Sequence, residues 1–120
     1  MAAPNLVNVA TITGQSTAAN LTTSNAAIVT CGSEYVCKIN TVVVANIDGT
    51  NTATATVYFY DASQSARYQI INAVAVPGGT SLTVVGKDTP IYLEEGDKIE
   101  GLASANSDLC IVVSYDAITD

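Results

Sequence analysis

The sequence predicts an all-β protein, an antiparallel β-sandwich or jelly roll of about eight or nine short strands. Three observations lead there. Thr, Val and Ile supply 39 of the 120 residues, and their branched side chains suit a pleated strand better than a helix. Apolar and polar residues alternate with a period of two along several stretches, as a strand with one buried face requires. Turn-forming clusters break that alternation at short intervals, and no stretch carries an apolar stripe of helical period.

A first strand is expected over residues 6–13 and a second over 26–31. Residues 14–25, Gly14 to Asn25, are polar and uncharged and are expected to run between them as a connection. Over 35–47 the odd positions Tyr35, Cys37, Ile39, Thr41, Val43, Ala45 and Ile47 form the apolar face. Lys38, Asn40, Asn46 and Asp48 mark the solvent face, which Val42 and Val44 interrupt. In 52–60 the odd set is Ala53, Ala55, Val57 and Phe59, and Thr54, Thr56, Tyr58 and Tyr60 share the other face. Asp48-Gly49-Thr50-Asn51 joins these two strands and reads as a hairpin turn, since glycine takes positive φ cheaply. Further strands are expected at 66–76, 82–85, 91–93, 97–104 and 108–116. Breaks fall at Pro77-Gly78-Gly79, Glu94-Glu95-Gly96-Asp97 and Asn106-Ser107-Asp108. No linker or repeat divides residues 1–120, which are expected to form one domain with Met1–Asn5 as a flexible lead-in.

Composition narrows the function. Four basic against eleven acidic residues give a net charge of −7, and there is no histidine. Four scattered cations cannot neutralise a row of phosphates, so no nucleic-acid partner is expected. Histidine catalysis and histidine-ligated metal are excluded. The longest apolar runs, such as Ala26–Val29 and Val42–Ala45, hold four residues, where a membrane span needs about twenty, so no membrane partner is expected either. Met1–Asn5 lacks the basic and apolar regions of an export signal, and the product is expected to mature in a cytoplasm. The odd count of three cysteines makes no disulfide framework. Cys31 and Cys37 are spaced to face each other across a hairpin, but buried free thiols are the expected state of all three.

Candidate chemistry is sparse. Serines and threonines abound without a base to activate them or a nucleophile elbow to present them. Glu94, Glu95, Asp97 and Glu100 form the one dense acidic group, in neither glycosidase-pair nor EF-hand arrangement, and read as solvated turn carboxylates. No enzyme activity, cofactor or metal is expected. Charged residues make up only 12% of the chain, about half the usual share, and none lies in residues 1–33. So neutral an exterior suits a subunit that buries it against neighbours. The candidate contact residues are Tyr58 and Tyr60, with Thr54 and Thr56 in line on the same face, and Thr17, Asn20 and Thr23 in the uncharged 14–25 segment. The absence of tryptophan tilts the tyrosine ridge toward protein rather than sugar.

The run Ile91-Tyr92-Leu93-Glu94-Glu95-Gly96-Asp97-Lys98-Ile99, followed by Ile111-Val112-Val113-Ser114-Tyr115-Asp116, resembles small virion proteins of tailed bacteriophages. The order Ile39-Asn40 to Ile47-Asp48-Gly49, Tyr58-Phe59-Tyr60 and Val76-Pro77-Gly78-Gly79-Thr80 fits the same pattern. The opening Ala3-Pro4-Asn5-Leu6-Val7-Asn8 is similar to structural proteins of cyanophage-type phages. The resemblance implies a non-enzymatic virion subunit, a capsid decoration (cement) protein first, with a tail, neck or fibre component, or a module binding a host glycan or receptor, as the alternative. It further implies other virion proteins as partners, the major capsid protein foremost, and a virion location after assembly in the host bacterial cytoplasm. A homo-oligomer is expected from the neutral surface, and the resemblance implies a trimer, since local three-fold points of a capsid and the axis of a tail spike both favour three copies.

Overall fold

The computed structural model describes residues 9–119. The lead-in Met1–Asn5 and the first residues of the strand expected at 6–13 lie outside that range. Nine strands follow one another: β1 (Thr11–Asn20), β2 (Ala26–Thr30), β3 (Val36–Asn46), β4 (Ala53–Asp61), β5 (Ala66–Val76), β6 (Ser81–Val85), β7 (Ile91–Leu93), β8 (Lys98–Ala103) and β9 (Leu109–Thr119). The first sheet runs β1-β9-β3-β6, with β7 also on β3; the second runs β2-β8-β4-β5. Every pairing is antiparallel. Apart from the small β7 and the β4–β5 hairpin, each strand lies in the sheet opposite its predecessor and the first strand lies beside the last, which is the strand order of a jelly roll. The protein is an all-β sandwich.

The core lies between the sheets. Ile39, Val42, Val44, Leu109, Ile111 and Val113 come from the first sheet and Ala55, Val57 and Ile99 from the second, all fully buried. At the β1–β2 corner Leu21 carries the chain across. Its N–H donates to Leu109 O at 2.8 Å on the first sheet, and Thr22 O accepts from Ala103 N at 2.8 Å on the second. Gly101 leaves room for it, because a Cβ there would stand 3.2 Å from Leu21 Cδ2. The turn at Glu94–Asp97 closes with Asp97 N to Glu94 O at 3.0 Å and has Gly96 at φ 82°, the type II position that glycine fills without strain.

Three expectations are corrected. First, β1 extends through Gly14–Asn20, which the sequence assigned to a connection. This strand sits at the rim, with every residue except Thr17 and Ala19 exposed, so it has no apolar face to leave an alternation in the sequence. What holds it is the ladder to β9, reinforced by Tyr115 Oη donating to Gln15 Oε1 at 2.8 Å and by the Ser16–Ser114 hydroxyl contact at 3.0 Å.

Second, the two faces of β3 exchange halfway. Opposite β9 the register steps from Ile39↔Tyr115 to Thr41↔Ser114, leaving Asn40 as the extra residue of a bulge. Before it Cys37 and Ile39 face the core; after it Val42, Val44 and Asn46 do. Thr41, Val43 and Ala45, expected inside, are only half-buried, and Ile47 is exposed.

Third, Asp48–Asn51 is not a hairpin between paired strands, because β3 and β4 belong to different sheets. The buried Asn46 side chain, expected to face solvent, prevents the return. Its Nδ2 donates to Asn51 O and to Val76 O, each at 2.8 Å, and its Oδ1 accepts from Asp48 N at 2.8 Å. These bonds fasten the leaving chain to the end of β5 in the second sheet. Gly78 makes the approach possible, since a Cβ there would lie 2.9 Å from Thr50 N and 3.0 Å from Asp48 O. Asp48 Oδ1 takes the Thr50 N–H at 2.9 Å in a tight side-chain turn that needs no positive φ at Gly49.

Replacing Asn46 by Ala strands a buried carbonyl and removes three hydrogen bonds. The expected cost is about 2–3 kcal/mol, against less than about 0.5 kcal/mol for the exposed Asn72→Ala. Urea unfolding of the two variants measures the difference.

Candidate interaction surface

The outer face of the second sheet is built by the even residues of β4 and β8. Tyr58 lies opposite Glu100 on β8 and Gln69 on β5, and Tyr60 lies opposite Lys98 and Arg67. Odd residues of β4 are committed to the core, so alternation sends both tyrosines outward. Both are half-buried. Tyr60 gathers two of the four cations of the chain: Lys98 Nζ is 5.0 Å and Arg67 Cζ 5.5 Å from its ring centre.

Beside them Glu100 is only 5% exposed. Arg67 Nε donates to its Oε1 at 2.8 Å and Asn25 Nδ2 donates to the same oxygen at 3.1 Å. Burial alone would raise the acid, but the hydrogen bonds from Arg67 and Asn25 and the charges of Arg67 and Lys98 outweigh it and hold Glu100 below its ordinary value of 4.5. The reading of Glu100 as a solvated turn carboxylate is therefore corrected. It is a buried strand residue that ties β5, and the residue just before β2, to β8.

Asp97, also read as solvated, is only 4% exposed. Its Oδ1 accepts from Ala62 N at 2.9 Å and its Oδ2 from Glu94 N at 3.0 Å, so the carboxylate clasps the β4–β5 turn to the β7–β8 turn. Glu95 accepts from Glu34 N at 2.8 Å. Asp97 and Glu95 thus accept from backbone donors and Glu100 from side-chain donors, and among the described residues no group of three or more acids or cysteines is placed to hold a metal ion.

The other sequence candidates are dispersed. Thr56 lies on the tyrosine side but is buried, because its hydroxyl accepts from Ala73 N at 3.0 Å and closes the β5 bulge, where Ala73 has φ 49°. Thr54 is half-buried beside Ser104, whose hydroxyl takes its N–H at 2.9 Å. Thr17 and Asn20 stand on β1, opposite Val113 and Cys110, at the rim of the other sheet. Thr23 is in the β1–β2 connection, its N–H donated to Asn106 Oδ1 at 2.9 Å. The structure brings Tyr58 and Tyr60 together and separates them from Thr17, Asn20 and Thr23. It adds Arg67, Lys98, Glu100 and Asn25. The spacing of Lys98 and Glu100, two residues apart on one strand, was the available signal.

A second feature is an open cleft of about 190 Å³ lined by Gln15, Thr30, Gly32, Tyr35, Cys37, Tyr115 and Ala117. Cys37, which lines it, and Cys31 are buried free thiols, and Cys110 is a half-buried free thiol on the outer face of the first sheet. Burial, aided by the adjoining Cys37 thiol, pushes Cys31 up to about 12, and burial also raises Cys37. Cys31 Sγ donates to Tyr35 O at 3.3 Å. These thiols pack and brace a turn.

No protein-family model matches the chain, and no curated protein matches it. Among solved structures the chain is similar to one described as "Bacillus endospore appendages form a novel family of disulfide-linked pili". The TM-score is 0.52 at 14% identity, over 91% of this chain and 88% of that one. At that identity the likeness concerns the fold. The neighbour is a bacterial appendage protein and not a phage protein.

Two outcomes are expected. Folded Glu100 releases its proton more readily than an unfolded glutamate, so its stabilisation is complete above about pH 4.5 and is lost as the pH falls through its lower folded value. Thermal melts at neutral and at acid pH should therefore differ less for Glu100→Gln than for wild type. For the thiols, an alkylating reagent at mildly alkaline pH should modify Cys110 first, with Cys31 and Cys37 at least about a hundredfold slower until denaturant is added. Mass spectrometry of timed digests reads the order.

Proposed function

We propose that the protein is a non-enzymatic structural subunit of a phage particle that works by protein–protein contact, as a capsid decoration protein. The observation that carries the reading is the outer face of the second sheet, where Tyr58 and Tyr60 stand side by side and Tyr60 is flanked by two cations, one of them bound to a buried carboxylate. Aromatic side chains fixed before binding lose little entropy on contact and supply large apolar area with a polar tip. The weakly charged Thr-, Ser- and Ala-rich exterior supports the same reading, since such a surface is at home against neighbours. The expected partners are the major capsid protein and further copies of the chain, on the virion after assembly in the host bacterial cytoplasm.

The structural likeness to a pilus component favours the alternative of a tail, neck or fibre part, because that neighbour is itself a building block of an appendage. A host-glycan or receptor module would use the same tyrosines for a different ligand.

Electron microscopy of particles lacking the protein separates the locations, density lost over the capsid supporting decoration and density lost at the tail supporting the alternative. Tyr58→Ala with Tyr60→Ala should lower attachment to such particles by about ten- to a hundredfold while leaving the fold intact. Unchanged attachment would remove the ridge from the interface, and glycan binding by the wild type that the double variant loses would favour the receptor reading.

A further inference from the structure

Among the described residues, only one strand rim is open to another strand. Proteins blunt an exposed rim with short length, charge, proline or a bulge. β2 has five residues and a register shift between Ala27 and Val29. β5 carries Arg67 and shifts register twice against β4. β6 and β7 divide one side of β3 between five and three residues. β1 has none of these devices. Its ten residues pair with β9 in unbroken register from Thr11↔Thr119 to Asn20↔Cys110, without charge or proline.

The geometry points to a second copy of this chain as the strand that β1 receives, β1 against β1, antiparallel across a two-fold axis. Copies that each carry −7 repel one another, and β1 lies in the one long stretch, residues 1–33, that carries no charge. A different rim of the second copy would meet β1 with a bulge or run out after a few residues, whereas β1 matches its own length. A two-fold axis normal to the sheet sets residues of the same face opposite each other, so Gln15 or Ser16 lies on the axis. With Ser16 there, Ile12 faces Asn20 of the second copy, Gly14 faces Ala18 and Thr13 faces Ala19. All these pairs are neutral, and Ile12, 60% exposed in the single chain, gains a neighbour. The first sheet then continues from one copy into the next. The contact uses the same patch twice and closes at two copies, in place of the three expected from the sequence.

This deepens the reading as an assembly subunit, and the two are tested apart: particle attachment tests that reading, and the isolated chain tests the pairing. Sedimentation of the full chain at about 100 µM should show a dimer. Ala18→Lys should raise its dissociation constant at least about tenfold, with the melting temperature unchanged when both proteins are melted at a concentration low enough to be monomeric. In a Cys110→Ala background, Ser16→Cys or Gln15→Cys should cross-link to itself when oxidised glutathione is supplied, because axial residues come within disulfide reach. A monomer or trimer in sedimentation, a dimer indifferent to Ala18→Lys, or no cross-link from either cysteine overturns the proposal. So does loss of the dimer on deleting residues 2–8 with β1 intact, which would assign the contact to that segment.

Discussion

The amide of Asn46 stands where the chain leaves the first sheet, and the separation of the sheets depends on what it does there. A strand leaving an antiparallel ladder returns on itself unless its next residues find better partners elsewhere. Asn46 provides them: one nitrogen bridges Asn51 O and Val76 O while its oxygen takes Asp48 N. A buried amide with all these bonds made is stable, and the same amide without them would carry a penalty of about 1–3 kcal/mol. The chain therefore crosses to the end of β5 instead of pairing β4 with β3, and two layers form with an apolar core between them. Gly78 belongs to the same device, for a side chain at that position would push the crossing away from the second sheet.

Once β4 lies in the second sheet, the rest of the outer face follows. Alternation commits Ala55 and Val57 to the core and turns Tyr58 and Tyr60 outward. Pairing to β8 and β5 then brings Lys98 and Arg67 to Tyr60 and sets Glu100 beside Tyr58. Glu100 can be buried because Arg67 and Asn25 both donate to it. Arg67 is half exposed, so the pair holds geometry more than it adds stability. A face made rigid in this way, nearly neutral in sum and carrying aromatic rings, is suited to contact with another protein surface.

The chain also distributes its protection unevenly. The second sheet ends in bulges, at Ala27/Val29 on β2 and around Ala73 on β5, and these twist its rims away from a neighbour. The first sheet ends on one side in β1, long, unbulged against β9 and uncharged. In a protein whose other surfaces carry its acids, that asymmetry concentrates the possibility of self-contact at one rim.

The sequence by itself determined the class of the fold and the place of most strands. Val, Ile and Thr in alternating runs, stopped by Pro77-Gly78-Gly79 and Glu94–Asp97, are local signals, and local sterics read them the same way in any surroundings. Residues 66–76 and 91–93 form strands within those bounds. Val42 and Val44, which spoiled the solvent face of the 35–47 stretch, were the local trace of the Asn40 bulge. Of the candidate site, the outward pairing of Tyr58 and Tyr60 was legible for the same reason. What brings Arg67 to Glu100, Asn25 to Glu100 and Asn46 to Val76 was not, because those partners are 33, 75 and 30 residues apart. Their burial depends on which strands become neighbours, and only the closed sandwich decides that. The same holds for Gly14–Asn20: a rim strand buries no face, so nothing in its own residues marks it, and it is a strand because β9 lies beside it.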